Sequence, residues 1–289
     1  MKALVTGASG FVGRHLVAAL RGAGWGVTTL DRTPPADRVG DLGTVSLRGV
    51  RVDVAFHLAG FANPAASITA AWDAYGANAR GTARLVREAR AGRFVLASSC
   101  QVYGRSDRPC VESDPLRPDS PYSASKLCGE ALALAAGREV VVLRPFNHTG
   151  PGQSDAYVCP RIARQVARAE AGLQPPVIEV GALAPRRDFF DVRDMVRAYL
   201  LAAEKGRPGE VYNVATGKPV SIGEITRILL SLAKVPLRLR AREGPPSLLT
   251  GDPAKFRAAT GWRAQIPLRQ TLADLLAHER LSKKETVRF

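Results

Sequence analysis

The sequence predicts an α/β protein built on a doubly wound parallel sheet, with a smaller and discontinuous second domain. The chain opens on a short apolar segment, residues 2–6, that leads directly into a glycine-rich turn and a stretch with helical spacing. Strand-like and helix-like segments then alternate up to residue 150, the pattern of a parallel sheet covered by helices. Glycine and polar residues follow several of these strands, at the edge where such sheets bind ligands. The predicted fold is therefore of the Rossmann type.

The composition is that of a globular protein with a large core. The chain has 289 residues, of which 46% are hydrophobic and 23% charged. No apolar run reaches the ~20 residues that span a membrane, so no membrane partner is expected. The amino-terminal residues lack the long apolar region of a signal peptide, and we therefore expect a cytoplasmic protein.

The net charge and the spacing of the cysteines and histidines bear on two further kinds of function, nucleic-acid binding and metal binding. The net charge of +15 would suit a nucleic-acid-binding protein. However, the arginines are spread along the chain without interleaved aromatic residues, so we expect no nucleic acid and infer a small polyanionic substrate instead. Neither cysteines nor histidines have the spacing of a metal site, and none is expected. The cysteines are Cys100, Cys110, Cys128 and Cys159.

The first strand and its turn predict dinucleotide binding. Gly7 allows a tight turn, Gly10 lets a pyrophosphate approach the backbone, and Gly13 lets the helix pack close to the strand. Phe11 follows in the same turn and is counted among the cofactor contacts. The amino end of the next helix would face the anion.

The second strand, residues 27–30, ends in Asp31. An acid about 20 residues after the glycines can accept hydrogen bonds from the adenosine ribose and repels a 2′-phosphate, so Asp31 favours NAD over NADP. Arg32 weakens this preference because it can reach a phosphate. Residues 32–50 are short for a full crossover, and they bring Asp41 and Leu42 towards the adenine.

The third strand, residues 52–58, ends at a second set of predicted cofactor contacts, namely Leu58, Ala59 and Gly60. Residues 78–91 have the pattern of a helix. Asn78 at its start is assigned to the cofactor site, although by pattern alone a capping or packing role is the commoner one.

Residues 93–97 form the next strand and deliver Ser99 to the same edge. Ser120 and Pro121 are typical of a helix start, and the helix should run to Gly137. Tyr122 and Lys126 share one face of that helix. An ammonium near a phenol lowers the tyrosine pKa, which suits Tyr122 for proton exchange with a hydroxyl or ketone.

The remaining segments complete the predicted domains. Strands are expected over residues 140–143 and 210–214. Helices are expected over residues 157–172, 187–203, 221–233 and 268–280, and the basic residues at the end of the chain are expected to fray. Residues 1–150 plus 186–215 would form the dinucleotide-binding domain. Residues 151–185 plus 216–289 would form the substrate domain.

Taken together, the motifs resemble those of extended short-chain dehydrogenases/reductases, in the nucleotide-sugar epimerase and dehydratase group. The matching motifs are Thr6-Gly-x-x-Gly-Phe-x-Gly13, His57-Leu-Ala-Gly60, Asn78-x-x-Gly-Thr82, Ser98-Ser99, Val102-Tyr-Gly104, Tyr122-x-x-x-Lys126 and Arg144-Pro-Phe-Asn147. Later motifs are most similar to those of GDP-6-deoxy-4-keto-mannose reductases and GDP-mannose dehydratases. These are Asn147-His-Thr-Gly-Pro-Gly-Gln153, Arg187-Asp-Phe-x-Asp-Val-Arg-Asp194, Gly209-Glu-Val-Tyr-Asn-Val214 and Ala258-x-Thr-Gly-Trp262.

The resemblance implies roles for individual residues. Ser99 and Tyr122 would hydrogen-bond the sugar O4, with Tyr122 as acid/base and Lys126 as its partner and ribose anchor. Asn147 and Arg187 would contact a nucleotide-diphosphate sugar. In this family the helices at residues 78–91 and 122–136 form a dimer interface, so a homodimer is expected.

Two residues next to Ser99 bear on the reaction. Dehydratases of the group carry Glu where this chain has Gln101, and a neutral amide cannot remove the C5 proton. Cys100 is expected to be a buried, unreactive thiol, with proton donation as the alternative. The segment 243–250 also lacks the arginine that touches the diphosphate in close relatives, for which Arg240 or Arg242 would substitute.

The sequence therefore predicts a nicotinamide-dependent reductase of a nucleotide-linked 4-keto-6-deoxy sugar. The alternative is a nucleotide-sugar 4-epimerase with permanently bound NAD, which Asp31 favours. A dehydratase ranks third because of Gln101. A dinucleotide-binding protein without catalysis is the non-enzymatic alternative, and the intact set of Ser99, Tyr122 and Lys126 argues against it.

Overall fold

The computed structural model describes residues 1–286. The strands are β1 (Lys2–Thr6), β2 (Gly26–Asp31), β3 (Arg38–Val39), β4 (Arg51–His57), β5 (Arg90–Ala97), β6 (Val140–Pro145), β7 (Asn147–Thr149), β8 (Val177–Val180), β9 (Arg186–Asp191), β10 (Val211–Val214), β11 (Pro219–Ser221), β12 (Arg238–Ala241) and β13 (Leu248–Leu249). The helices are α1 (Phe11–Gly22), α2 (Pro64–Ser67), α3 (Ala71–Tyr75), α4 (Gly81–Glu88), α5 (Pro121–Leu134), α6 (Val158–Glu170), α7 (Val192–Lys205), α8 (Ile222–Ser231), α9 (Ala254–Thr260) and α10 (Leu268–Thr286).

A seven-stranded parallel sheet forms the centre of the molecule, in the order β10-β6-β5-β4-β1-β2-β3. The strand order reverses between β1 and β4, so the crevice at their carboxyl ends is the point where such sheets bind ligands. Helices α1 and α7 pack on one face and helices α4 and α5 on the other, each over its own buried apolar cluster. The predicted doubly wound Rossmann sheet is confirmed.

The crossover after β2 is short, as the sequence predicted. Strand β3 has two residues and pairs with the end of β2. No helix stands between β3 and β4 in this described stretch, and residues 40–50 cross back as turns. Leu42 and Leu47 bury their side chains in the cluster under α4, which keeps this segment on the sheet without a helix.

The helix that carries Tyr122 begins where the sequence predicted. Ser120 and Ser123 form a capping box, in which each side chain bonds the backbone of the other residue. The helix ends at Leu134, and Gly137 follows with a φ of +65°. Its neighbour was predicted over residues 78–91. It starts earlier, at Ala71, passes through a π-turn at Gly76–Arg80 and ends at Glu88.

The helix predicted over residues 187–203 is only partly correct. Its first five residues belong to strand β9, which pairs with β7, β11 and β13. The helical part begins after Asp191, whose side chain accepts a hydrogen bond from the backbone N–H of Arg193. The cap stops the strand and starts α7, which runs to Lys205.

A third apolar cluster lies outside the central sheet. It is built from α6, α8, α10 and β8. Phe256 and Trp262, from the region assigned to the substrate domain, pack instead with the cluster of α1 and α7. The domain boundaries given above stay a prediction.

The last helix is longer than predicted. It continues past Arg280 to Thr286. Residues 287–289 lie outside the described part of the chain. No helix within residues 1–286 is long and apolar enough to cross a membrane.

Candidate active site

The turn between β1 and α1 has the geometry of a phosphate cradle. Gly7 has a φ of +70°, and a Cβ there would lie 2.6 Å from the backbone nitrogen of Ala59. A Cβ on Gly13 would overlap the carbonyl oxygen of Gly7. Helix α1 starts after Gly10 with no side-chain cap, so the N–H groups of its first turn are left for a ligand. The residues present fit a dinucleotide pyrophosphate.

Asp31 lies beside this turn at the end of β2. Its Oδ2 accepts hydrogen bonds from the backbone N–H of Ser9 at 2.8 Å and from Ser9 Oγ at 2.7 Å. Its Oδ1 accepts from the N–H of Arg32 at 2.7 Å. Asp31 therefore holds the glycine turn and keeps its carboxylate at the site where the sequence predicted the ribose.

Asp41 and Leu42 occupy different environments. Asp41 is exposed, and its Oδ1 accepts a hydrogen bond from the N–H of Gly43 at 2.7 Å. The Leu42 side chain is buried against Gly81, and its carbonyl oxygen accepts from Arg84. Leu42 thus supports the fold under α4, and its assignment to the cofactor site stays a prediction.

Gly60, Asn78 and Lys126 meet at the carboxyl end of β4. Asn78 is buried and bonds the N–H and the carbonyl of Phe61 at 2.9 and 3.1 Å and Ser125 Oγ at 2.9 Å. A Cβ on Gly60 would overlap Asn78 Oδ1 and lie 3.2 Å from Lys126 Nζ. Only glycine leaves room here, so these three predicted residues form one continuous wall.

His57 connects the glycine turn to this wall through a buried chain of hydrogen bonds. Thr82 Oγ1 donates to the carbonyl of Asn78 at 2.6 Å, so it accepts from His57 Nε2 at 2.8 Å. With the His57 proton on Nε2, Nδ1 accepts from Thr6 Oγ1 at 2.8 Å, and Thr6 Oγ1 in turn accepts from the N–H of Ala59. Burial, with the Lys126 charge nearby, lowers the pKa of His57 to about 3. The ring is neutral and carries its proton on Nε2.

Tyr122 and Lys126, the predicted catalytic pair, both lie on α5, but the pKa of Tyr122 differs from the prediction. Burial raises the pKa of the Tyr122 phenol, the hydrogen bond with Ser99 lowers it, and Cys100 and Tyr157 raise it further. Lys126 Nζ donates to the carbonyl of Ala97 at 3.0 Å. The predicted lowering of the Tyr122 pKa by Lys126 is therefore corrected. Burial dominates, and Tyr122 is protonated near neutral pH.

Cys100 and Gln101 follow Ser99 in a single 3₁₀ turn, Cys100–Tyr103. Burial raises the pKa of Cys100 to about 12, so its thiol stays protonated, in agreement with the unreactive role expected for it. Gln101 is half-buried, and its N–H bonds Ser99 Oγ at 3.2 Å. This contact orients the serine hydroxyl.

The two predicted substrate residues lie on neighbouring strands. Asn147 starts β7 and pairs in register with Phe189 of β9, two residues after Arg187. The Arg187 guanidinium donates to the carbonyl of Ser247 at 3.0 Å and to its Oγ at 3.0 Å. Burial lowers the pKa of Arg187, with an opposing effect of Cys100. Arg187 therefore lies near Cys100, and its assignment to the substrate site stays a prediction. Arg240 pairs with Glu179 instead.

Sequence reasoning missed two residues of this site. Tyr157, the residue before α6, donates its hydroxyl to the carbonyl of Ala62 at 3.0 Å and lies near Tyr122. No pattern points to it, because the two segments meet only in the fold. Glu130, by contrast, is four residues after Lys126 on the same helix face and could have been found by that spacing. No group of His, Cys, Asp and Glu within residues 1–286 is arranged to hold a metal ion.

The fold and the site together define an extended short-chain dehydrogenase/reductase: a Rossmann sheet with a glycine turn, a strand-end serine and a Tyr-x-x-x-Lys helix. The sequence model of the NAD dependent epimerase/dehydratase family matches residues 3–215. The chain belongs to this family, and the protein is an enzyme of the extended short-chain dehydrogenase group.

Similar proteins carry several activities. The chain is 36% identical to GDP-6-deoxy-D-mannose reductase of Pseudomonas aeruginosa, over 94% of this chain and 95% of that one. The structure of RMD from Pseudomonas aeruginosa complexed with NADPH aligns with a TM-score of 0.87 at 34% identity, covering 97% of this chain and 99% of RMD. The structure of MoeE5 in complex with UDP-glucose and NAD aligns with a TM-score of 0.88 at 33% identity. The alignment covers 98% of this chain and 100% of MoeE5. Other curated relatives are dTDP-glucose 4,6-dehydratases and a UDP-glucose 4-epimerase.

Proposed function

We propose that the protein reduces C4 of a nucleotide-linked 4-keto-6-deoxy sugar of the GDP-6-deoxy-4-keto-mannose type. The observation that carries this proposal is the buried Ser99–Tyr122 pair, in which burial raises the pKa of the phenol. A protonated tyrosine suits the reductive direction, which needs a proton donor at the carbonyl oxygen. The similarity to GDP-6-deoxy-D-mannose reductase over nearly the whole chain supports the sugar class.

The protein side of the mechanism uses three residues. Ser99 hydrogen-bonds the substrate O4 and stabilises the charge that develops there. Tyr122 donates its proton to the same oxygen. Lys126, held by its hydrogen bond to Ala97, would bind the cofactor ribose through its ammonium. When bound, a reduced nicotinamide cofactor supplies the hydride to C4.

The cofactor is bound by the glycine turn and by the wall after β4. The backbone of Gly7, Gly10 and Gly13 holds the pyrophosphate, and Asp31 receives the ribose hydroxyls. Asp31 favours NAD, while the exposed Arg32 next to it leaves NADP as the alternative.

The substrate enters as a nucleotide-diphosphate sugar. Asn147 and Arg187 bind it, because a guanidinium recognises phosphate oxygens through paired hydrogen bonds. The net charge of +15 attracts such a polyanion to the cleft.

A 4-epimerase with permanently bound NAD is the second candidate. Asp31 and the similarity to MoeE5, described in complex with UDP-glucose and NAD, favour it. An epimerase oxidises and re-reduces the same carbon, and its first step needs Tyr122 as a base. A 4,6-dehydratase is disfavoured, because Gln101 stands where that reaction needs a carboxylate.

A homodimer is part of the proposal. Trp72 is 87% exposed on α3, and Leu132 is 42% exposed on α5, against which α3 packs. Large apolar side chains on two adjacent helices are typical of a surface that a second copy covers. Light scattering of the purified protein should give twice the monomer mass, and Trp72→Glu should give the monomer.

The function is tested by supplying GDP-6-deoxy-4-keto-mannose with NADH or NADPH. We expect stoichiometric loss of absorbance at 340 nm and a GDP-6-deoxyhexose product. The first control is the nucleotide released from denatured protein. Stoichiometric tightly bound NAD, with no cofactor consumed and C4 epimers formed from a UDP-hexose, would replace the reductase by the epimerase.

A further inference from the structure

A buried ion pair lies directly behind the catalytic residues. Glu130 is one helical turn beyond Lys126, which is one turn beyond Tyr122, so all three share a face of α5. The Glu130 side chain is 3% exposed and that of Arg144 is 4% exposed. Arg144 Nη2 lies 2.7 Å from Oε2 of Glu130 and Nε lies 3.0 Å from Oε1. The pair therefore joins α5 to β6.

The same carboxylate reaches the strand that delivers the catalytic serine. Ser98 Oγ donates to Glu130 Oε1, and Ser98 directly precedes Ser99. On the far side, Arg144 Nη1 lies 3.0 Å from the hydroxyl of Tyr103, which donates to Asn213 on β10. Glu130 thus connects the helix of Tyr122 with the carboxyl ends of three central strands.

The stability of the fold does not by itself explain why a fully buried ion pair is present here. Removing two charges from water costs several kcal/mol each, and apolar replacements of the same volume are often neutral or more stable. The pair contacts Ser98, the residue before the proposed catalytic Ser99. A role in positioning the active site therefore accounts for the pair better than stability does.

The charged groups near Lys126 also indicate that Glu130 acts on the active site. Burial lowers the pKa of Lys126 to about 8, and the Glu130 carboxylate opposes this effect. His57 on β4, which lies near Lys126, is neutral. Tyr122, one helical turn before Lys126, is protonated. The positive charge of Arg144 is already paired. The single carboxylate of Glu130 thus pairs with Arg144 and also favours the charged form of Lys126.

We propose that Glu130 is a positioning residue that holds the Lys126 ammonium and the Ser98–Ser99 strand end in register with Tyr122. The inference rests on the proposed function, in which Ser99, Tyr122 and Lys126 act on one sugar carbon. The Glu130 side chain is almost fully buried, so no direct contact with substrate or cofactor is proposed for it. It acts through Ser98 and Lys126.

The test compares the Glu130→Gln variant with the wild-type protein. NADH affinity and turnover are measured from pH 7 to 9.5. We expect the alkaline fall in NADH affinity, centred near pH 8, to move about one pH unit lower, since one pKa unit changes the protonated fraction about tenfold. We expect kcat at pH 8 to fall about tenfold with little change in KM. An unmoved NADH profile in a folded variant overturns the proposal.

Two further variants separate positioning from folding. Glu130→Gln combined with Arg144→Met removes both charges of the pair. If the pair were purely structural, this double variant would recover the melting temperature and show the wild-type pH dependence of NADH affinity. We expect recovered stability with the profile still shifted. Asp194→Asn is the matched control, because Asp194 is equally buried and paired with Arg197 but lies on α7. It should lower the melting temperature and leave the profile unchanged.

If Glu130→Gln does not fold, Ser98→Ala keeps the ion pair and removes only the bond to the strand end. We expect a several-fold loss of kcat at constant KM, and an unchanged kcat would overturn the proposal. If the wild-type protein does not reduce the 4-keto sugar, the proposed function fails. The NADH profile still tests the inference, since it requires no substrate.

Discussion

Lys126 Nζ donates a hydrogen bond of 3.0 Å to the carbonyl oxygen of Ala97, the last residue of β5. This contact ties the catalytic helix to the strand that continues into Ser98 and Ser99. The pKa of Tyr122 is raised chiefly by its own burial, and the hydrogen bond with Ser99 opposes this effect. The phenol is therefore protonated near neutral pH, as the proposed proton donation requires.

Replacing Tyr122→Phe should remove the proton donor and leave the fold intact. We expect kcat to fall about 10²- to 10⁴-fold, the range that general acid catalysis supplies. Tyr199→Phe is the matched control, because Tyr199 is also buried and lies near Tyr122. Steady-state kinetics with the 4-keto sugar measure both variants. Wild-type turnover by Tyr122→Phe would show that another group donates the proton.

Arg187→Ala should weaken substrate binding specifically. We expect KM for the nucleotide sugar to rise about 10- to 100-fold, the effect of losing a hydrogen bond to a charged group. Arg186→Ala is the control: Arg186 is the exposed neighbour, and its guanidinium bonds Pro219 and Glu224. Equal effects of the two substitutions on KM would mean that Arg187 supports the strand and does not bind phosphate.

Asp31→Asn should change the choice of cofactor. Removing the carboxylate removes its repulsion of a 2′-phosphate, while the amide can still accept from Ser9. We expect the ratio of kcat/KM for NADPH to that for NADH to rise about tenfold, or about 1.4 kcal/mol. Asp53→Asn, at the opposite end of the sheet in β4, should leave the ratio unchanged. An unchanged ratio for Asp31→Asn would remove Asp31 from the ribose site.

His57 should make the protein sensitive to acid. Its pKa is about 3 in the folded chain, against 6.5 in the unfolded one. Below pH 6.5 the unfolded chain therefore binds a proton that the folded chain does not, and stability falls as the pH falls towards 3. The slope for this one group is about 1.4 kcal/mol per pH unit.

Urea unfolding of His57→Gln between pH 4.5 and 7 measures this contribution. The variant should lose stability at pH 7, because the glutamine fills the site less well, but its acid dependence should be less steep than that of the wild type. Parallel curves for the two proteins would mean that the ring takes up a proton in the folded state.

Much of the fold and of the site was predictable because local chemistry specifies it. The capping box at Ser120 and Ser123 starts α5 whatever surrounds it. The glycine spacing from Gly7 to Gly13 requires a tight strand-to-helix turn. The helix over residues 187–203 was misjudged, since the strand character of β9 comes from its partners and not from its own sequence.

By itself the sequence predicted the parallel sheet and the glycine turn, because hydrophobic periodicity, caps and glycine spacing are local. It also singled out Ser99, Tyr122 and Lys126 as the proposed catalytic residues. Only the tertiary structure decided which way the Tyr122 pKa moves, because desolvation depends on everything packed around the phenol. It likewise revealed the Glu130–Arg144 pair and the contact of Tyr157 with Ala62, 95 residues away along the chain. Such contacts are set by how distant segments pack, which no local pattern records.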